Sequence, residues 1–291
     1  MSFGLIGVPY TSMARPGGIA DAIAVLREAG LAEQLAARAG VRDAGDLDPI
    51  EGDGVRGPSG LLKERALVQL VEATAGAVGR SLDDGRRPLL VGADCPVLLG
   101  ALAAGRDRHG DVGLLLVDGH EDAWPPPRSR TGEASDSEVA IALGAAAHLP
   151  EALDRLTPIL AREAIAMLGP RDLQELEDAG VDSVRDAVAL FRDDREVRGA
   201  GAASSGRDAI AAIGCPFWLH LDLDVLRTGD FPAADYLQPG GLGWAELTEI
   251  AATALADPRC LGASVVIYNP DLDPDRTTAR RIVRFLADLV G

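Results

Sequence analysis

Three short segments gather the side chains best suited to chemistry. Asp118-Gly119-His120-Glu121-Asp122 sets two carboxylates and an imidazole at alternate positions, and Asp222-Leu223-Asp224 sets two more carboxylates at the same spacing. Gly92-Ala93-Asp94-Cys95 adds an acid and a thiol. In extended chain, residues i and i+2 point to one side, so Asp118, His120 and Asp122 converge, as do Asp222 and Asp224. Four carboxylates brought face to face repel unless cations lie between them. Oxygen donors with one imidazole suit manganese or another divalent ion. Two such ions sharing carboxylates make a hydrolytic centre. Either motif alone is also the pattern of a capped turn; their joint occurrence points to metal.

Each cluster follows a short apolar run. Such runs recur at Phe3–Val8, Pro88–Gly92, Val112–Val117, Ala164–Gly169, Phe217–Leu223 and Ala263–Tyr268. Without polar alternation, they predict strands buried on both faces. Helical patterns lie between them. Gly18–Gly40 carries apolar Ile23, Leu26, Leu31 and Leu35, and Ser59–Gly79 opens on a serine suited to an N-cap. Val97–Ala104, Ser135–Gly144, Arg171–Ala179, Trp244–Ala256 and Asp275–Val290 follow. The stretch Arg195–Arg207, rich in Gly, Ala and Ser, reads as one loop. Alternating strands and helices predict an α/β fold with a mainly parallel sheet, as a single domain over 1–291. Ligands in such sheets sit beyond the carboxyl ends of the strands, where all three clusters fall.

The 291 residues are 47% hydrophobic and 25% charged, proportions that exclude a disordered or collagen-like chain. Against 28 basic residues stand 45 acidic ones, for a net charge of -17. That field repels phosphate backbones and anionic lipid, so neither a nucleic acid nor a membrane is an expected partner. The first residues lack a charged region followed by a long apolar core, and no apolar stretch approaches ~18 residues, so a cytoplasmic protein is expected. Three scattered cysteines do not make a disulfide framework. Cys215 and Cys260 read as buried small apolar residues. His109 and His148 read as solvent-exposed, and His220 either lines the site or only sits in its strand.

In order along the chain, these segments resemble the ureohydrolase superfamily of arginases, agmatinases and formiminoglutamases. The family's Gly-Gly-Asp-His-Ser resembles Gly92-Ala93-Asp94-Cys95-Pro96, and its Asp-Ala-His-x-Asp resembles Asp118–Asp122. Its Ser-x-Asp-x-Asp resembles His220–Asp224, and its Gly-Gly-Leu-Thr-x-x-Glu resembles Gly240–Glu246. Its closing Glu-x-Asn-Pro-x-x-Asp resembles Ile267–Asp273. Weaker echoes lie at Ile6–Pro9 and Gly169–Asp172. The resemblance implies a three-layer α/β/α fold with a central parallel sheet, assembled as a homo-oligomer, a trimer or hexamer. It also implies a small-molecule substrate and a two-manganese site whose activated water attacks a planar carbon bonded to nitrogen. Carried over by position, Asp118 and Asp222 bridge the two Mn2+ ions. His120 and Asp224 complete one, Cys95 and Asp122 belong to the other, and Asp122 holds the attacking water.

Three departures bear on function. Cys95 stands where the family has a histidine ligand; a thiolate there shifts preference toward Zn2+ or Fe2+, while a thiol packed under the sheet would be inert. By ungapped counting, the family's proton-shuttle histidine falls on Ser135, which is no general acid near neutral pH. Glu133 is the candidate replacement, whereas Asp136 is expected to cap the helix that follows. The family's guanidinium-gripping glutamate is Ile267. Glu133, Ser135 and Ile267 are thus the expected substrate-side residues, with Asp122 and Glu133 as catalytic candidates. The expected function is metal-dependent hydrolysis of a linear, non-peptide C–N bond in a substrate other than arginine. Two alternatives stay open: a member that has lost catalysis and serves in binding or assembly, and a single-metal, deacetylase-like amidohydrolase using Asp118, His120 and Asp224.

Overall fold

Eight parallel strands form one sheet in the computed structural model, which describes residues 2–38 and 40–291. They are β1 (Phe3–Gly7), β2 (Val41–Asp46), β3 (Arg87–Val91), β4 (Gly113–Val117), β5 (Ile165–Gly169), β6 (Leu190–Asp193), β7 (Phe217–Asp222) and β8 (Cys260–Val266). Their spatial order is β2-β1-β3-β8-β7-β4-β5-β6. The helices are α1 (Ala22–Glu28), α2 (Leu31–Ala36), α3 (Glu64–Asp83), α4 (Val97–His109), α5 (Glu138–Ala142), α6 (Glu151–Leu156), α7 (Leu173–Ala179), α8 (Asp194–Ala200), α9 (Ala202–Ile213), α10 (Trp244–Ala256) and α11 (Thr277–Val290). Among the described residues, no helix is long and apolar enough to cross a membrane.

The apolar runs become strands because helices cover both faces. Every residue of β1, β4, β5, β7 and β8 is buried. On one side α3 packs against α4, close enough that a Cβ at Gly100 would meet the Val71 carbonyl oxygen at 2.6 Å. On the other, α9, α10 and α11 pack in succession. Helix α11 buries Ile282, Val283, Phe285, Leu286 and Val290 and turns Arg280, Arg281, Arg284 and Asp288 outward. That is a helical stripe facing the core. The expected three-layer α/β/α architecture is the one observed.

Several boundaries differ from expectation. The pattern over Gly18–Gly40 is split into α1 and α2, because Gly30 takes the left-handed conformation between them. Ser59 does not cap α3, which starts at Glu64; its backbone N–H and hydroxyl both donate to the Glu64 carboxylate instead. Arg195–Arg207 is not a loop but most of α8 and the first half of α9. Asp193 and Glu196 cap α8 reciprocally, and α9 buries Ala209, Ile210 and Ile213. Strand β7 stops at Asp222, and β8 runs earlier than expected. The strands β2 and β6 were absent from the expectation. Both lie at sheet edges, and β2 is mostly exposed, so neither carries an apolar run.

Candidate metal centre

The four central strands, β3, β8, β7 and β4, end at one level. Val117 pairs with Leu221, Asp222 with Val266, and Val91 with Val265. The residues that follow these ends therefore meet over one crevice: Asp94 and Cys95 after β3, Asp118 to Asp122 after β4, Asp224 after β7, and Ile267 after β8. Asp222 is itself the last residue of β7. A cavity of about 420 Å³ opens above, lined by Cys95, His120, Asp122, Glu133, Ser135, Asp222, Asp224, Tyr236 and Ile267, among others.

Donor atoms of Asp118, His120 and Asp122 lie within 4.8 Å of one another, and so do those of Asp118, Asp222 and Asp224. The His120 Nδ1 is 3.1 Å from Asp224 Oδ2 and 3.7 Å from Asp118 Oδ1. Turns, rather than extended alternation, produce this convergence. The Asp222 carboxylate accepts the Asp224 N–H at 2.7 Å, and Asp118 accepts the His120 N–H at 2.7 Å. Asp122 has φ of +48°. Gly119 lets the two loops touch: a Cβ there would meet the Asp224 carboxylate at 2.7 Å. Ala93 and Ile267 also take positive φ, 64° and 66°, and are joined by an N–H···O bond of 3.1 Å from Ile267 to Ala93. Three non-glycine residues in this region at one site mark a locally strained rim.

The electrostatics follow from burial. Burial, then the neighbouring carboxylates, pushes Asp118, Asp122 and Asp222 above the usual aspartate range. Burial works in the same direction on Asp224, but His120 and Arg171 outweigh it and leave that carboxyl low. Burial alone would lower His120; Asp224 and Asp118 instead hold it well above the usual histidine value. Arg171 also donates to the Asp224 carbonyl at 2.7 Å. Buried Asp118 Oδ2 has no hydrogen-bond partner among the described residues. Crowded carboxylates with an unpartnered oxygen, closed by one imidazole, fit divalent cations.

Cys95 is buried and its thiol donates to Asp222 Oδ2 at 2.9 Å, with burial and then Asp222 pushing its pKa well up. Glu133 is 7% exposed, receives the Tyr236 hydroxyl at 3.1–3.2 Å, and is raised to about 7 by burial and then by Asp94. Ser135 lies 3.2 Å from Ser12, whose hydroxyl and N–H both donate to Asp94. Asp136 does not cap α5, whose N-cap is Ser137. Its carboxylate accepts hydroxyls from Ser129, Thr131 and Ser137 and ties that loop. His109 and His148 are exposed, as expected, but Cys215 is only half-buried.

His220, a motif position, sits inside β7 with its ring in reach of the Cys95 sulfur, whereas Tyr236 and Glu138 escaped the sequence motifs. His220 is fully buried; its Nδ1 lies 2.7 Å from Ser264 Oγ, and its Nε2 has no partner among the described residues. Burial lowers it to about 3, so it is a neutral imidazole. Tyr236 comes from a loop with no motif. Glu138 opens α5 with 0% exposure; among the described residues neither of its oxygens meets an N–H or a hydroxyl, and its carboxyl lies in hydrogen-bonding reach of Asp122. An acid at a helix start ordinarily faces solvent near the helix dipole, so its type and position gave no signal.

Over residues 1–291 the chain matches the family described as "Arginase family". It is 26% identical to the arginase of Bacillus caldovelox, over 99% of this chain and 97% of that one. The native structure of that enzyme superposes with a TM-score of 0.83, covering 100% of this chain and 98% of the other. The N(omega)-hydroxy-L-arginine amidinohydrolase of Streptomyces lavendulae is 27% identical over 75% of this chain and 73% of its own. The formimidoylglutamase of Bacillus subtilis, at 19% identity, shares the fold with a TM-score of 0.75, over 100% of this chain and 86% of that one. The chain belongs to the arginase family, metal-dependent hydrolases of carbon–nitrogen bonds other than peptide bonds.

Proposed function

We propose that residues 1–291, as one domain, hydrolyse a linear C–N bond in a small molecule that lacks a guanidinium group. The observation that carries this is the pairing of an oxygen-rich donor cluster with Ile267 on the same cavity wall. When ions are bound, Asp118 and Asp222 would be shared between the two sites, His120 and Asp224 would complete one, and Cys95 and Asp122 would contribute to the other. The oxygen-rich set favours Mn2+, and a Cys95 thiolate would draw Zn2+ or Fe2+ to its own side. When bound, the ion pair makes a water acidic enough to attack near neutral pH.

The chain's own residues supply the rest. An Asp122 oxygen accepts a hydrogen bond from the attacking water and orients it. Glu133, with a pKa of about 7, is suited to protonate the leaving nitrogen, and Tyr236 holds its carboxyl in place. Ser135 offers a hydroxyl to the substrate without an ionisable proton. Ile267 gives a desolvated guanidinium no acceptor, at a loss of roughly 1.5–3 kcal/mol for a missing charged hydrogen bond. A neutral amide or ureide incurs no such loss. The net charge of -17 supports an assignment without nucleic-acid or membrane partners. A cytoplasmic trimer or hexamer belongs to the same proposal.

The test is metal analysis of protein purified without chelator, together with urea assays. About two ions per chain and negligible urea from arginine, agmatine or guanidinobutyrate are expected. Robust turnover of any of the three overturns the substrate class and points to Glu133 as the anion that replaces Ile267. One ion per chain would favour the deacetylase-like alternative, and none a binding subunit.

A further inference from the structure

Glu138 is the least explained acid in the molecule. Its side chain is fully buried and, among the described residues, neither carboxyl oxygen meets an N–H or a hydroxyl; the carboxyl lies in hydrogen-bonding reach of the Asp122 carboxyl, with which it can share a proton. Burying a carboxylate anion costs several kcal/mol; without metal, a proton shared with the Asp122 carboxyl offsets that cost, and a cation is the arrangement that leaves both groups charged. A Glu138 oxygen, an Asp122 oxygen and the Cys95 sulfur all lie within 4.8 Å of one another. Asp118 and His220 flank the same sulfur within the same limit.

Among the described residues no lysine or arginine is prominent around Cys95, Asp122 and Glu138. His120 borders Asp122 but is held against Asp224 at 3.1 Å. Lys63 is bonded to the Thr11 carbonyl and faces Asp94. Arg171 lies behind Asp224. The backbone holds Glu138 in place: Val139 N–H donates to the Asp122 carbonyl at 3.0 Å, so the first turn of α5 is pinned beside Asp122. The Cys95 side is also where the family pattern loses its histidine. A carboxylate thus stands beside the position where the family's histidine is lost, with the neutral His220 imidazole on the far side of the same sulfur.

We propose that Glu138 is a ligand of the ion on the Cys95 side, completing a Cys95–Asp122–Glu138 donor set. This rests on the metal-dependent function proposed above and adds a ligand that no motif marks. The set carries one soft and two hard donors, which suits a borderline ion such as Co2+, Zn2+ or Fe2+. The Glu138 carboxylate supplies the charge that a neutral imidazole would not, and the ion relieves its burial.

The test is titration of metal-stripped protein with Co2+, read by visible absorption and by metal content after gel filtration. The parent takes up two equivalents. Glu138→Gln, nearly the same shape, keeps the equivalent held by His120 and Asp224 and weakens the other at least about tenfold, the lower limit for loss of even an outer partner. Its metal-free melting temperature stays at or above the parent's, which excludes misfolding. In zinc-loaded crystals an ion lies about 2.0–2.2 Å from a Glu138 oxygen. Two equivalents at parental affinity in Glu138→Gln overturn the proposal, as does equal weakening of both. If the parent holds one ion only, the two-ion function fails instead. Glu138 is then upheld if Glu138→Gln loses that ion and overturned if it keeps it. If the parent holds none, both proposals fall.

Discussion

Replacing Asp222 by Asn separates a bridging carboxylate from a structural one by the sign of its effect. Asp222 is 2% exposed, accepts the Asp224 N–H at 2.7 Å and the Cys95 thiol at 2.9 Å, and stands among Asp118, Asp122 and Asp224. Asparagine keeps an oxygen for the Asp224 N–H and removes one like charge. Without metal the variant should therefore be as stable as the parent or more so. With metal the balance inverts. Each ion present at about a hundred times its dissociation constant stabilises the fold by ~2.7 kcal/mol. A residue shared by both ions therefore puts up to about 5 kcal/mol at stake. At roughly 2 °C per kcal/mol, the low end for chains of somewhat smaller size, that is about 10 °C of melting temperature. The assay is differential scanning calorimetry of parent and Asp222→Asn, each in excess Mn2+ and in chelator, with metal content measured in parallel. A fall of similar size in both conditions would mean that Asp222 serves the fold and not the ions. Full metal content and no fall would refute the bridging role outright.

Three further outcomes are expected. Cys95→His should raise Mn2+ occupancy on its side, because a buried thiol must lose a proton to bind whereas neutral imidazole need not; equal occupancy by metal analysis would make Cys95 a packing residue. Glu133 ionises near 4.5 unfolded but near 7 folded, so between those pH values the folded chain holds the extra proton and its stability falls as pH rises. Glu133→Gln should remove that decline and gain on the parent from pH 5 to 8 by at most about 3 kcal/mol, less what solvent screens. Denaturant midpoints in chelator check this, and a constant difference across the range refutes it. Ile267→Glu should tighten binding of agmatine roughly ten- to a hundredfold, as an added charged hydrogen bond predicts. Calorimetric titration finding no gain would place guanidinium recognition elsewhere.

The sequence alone determined the central architecture and the donor cluster. Strands buried on both faces need continuous apolar runs, and those runs stand out without any structure, as in Val112–Val117 and Phe217–Leu221. Because parallel strands deliver their following residues to one edge, the acidic motifs after them had to meet. The polar edge strand β2 and the helix pair over 194–213 were illegible for the opposite reason: β2 is mostly exposed and owes its conformation to pairing with β1, and the Gly-, Ala- and Ser-rich start of α9 is held by packing against α10. Tertiary structure alone decided which donors face each other. Cys95 meets Asp222 across 127 residues, and Tyr236 meets Glu133 across 103. Glu138 is the sharpest case. By type and position it is an ordinary first-turn glutamate. Only the packing of α5 under the rim withdraws its carboxyl from water and leaves it beside a thiol and another acid, where a solvating cation is the simplest way to keep it charged.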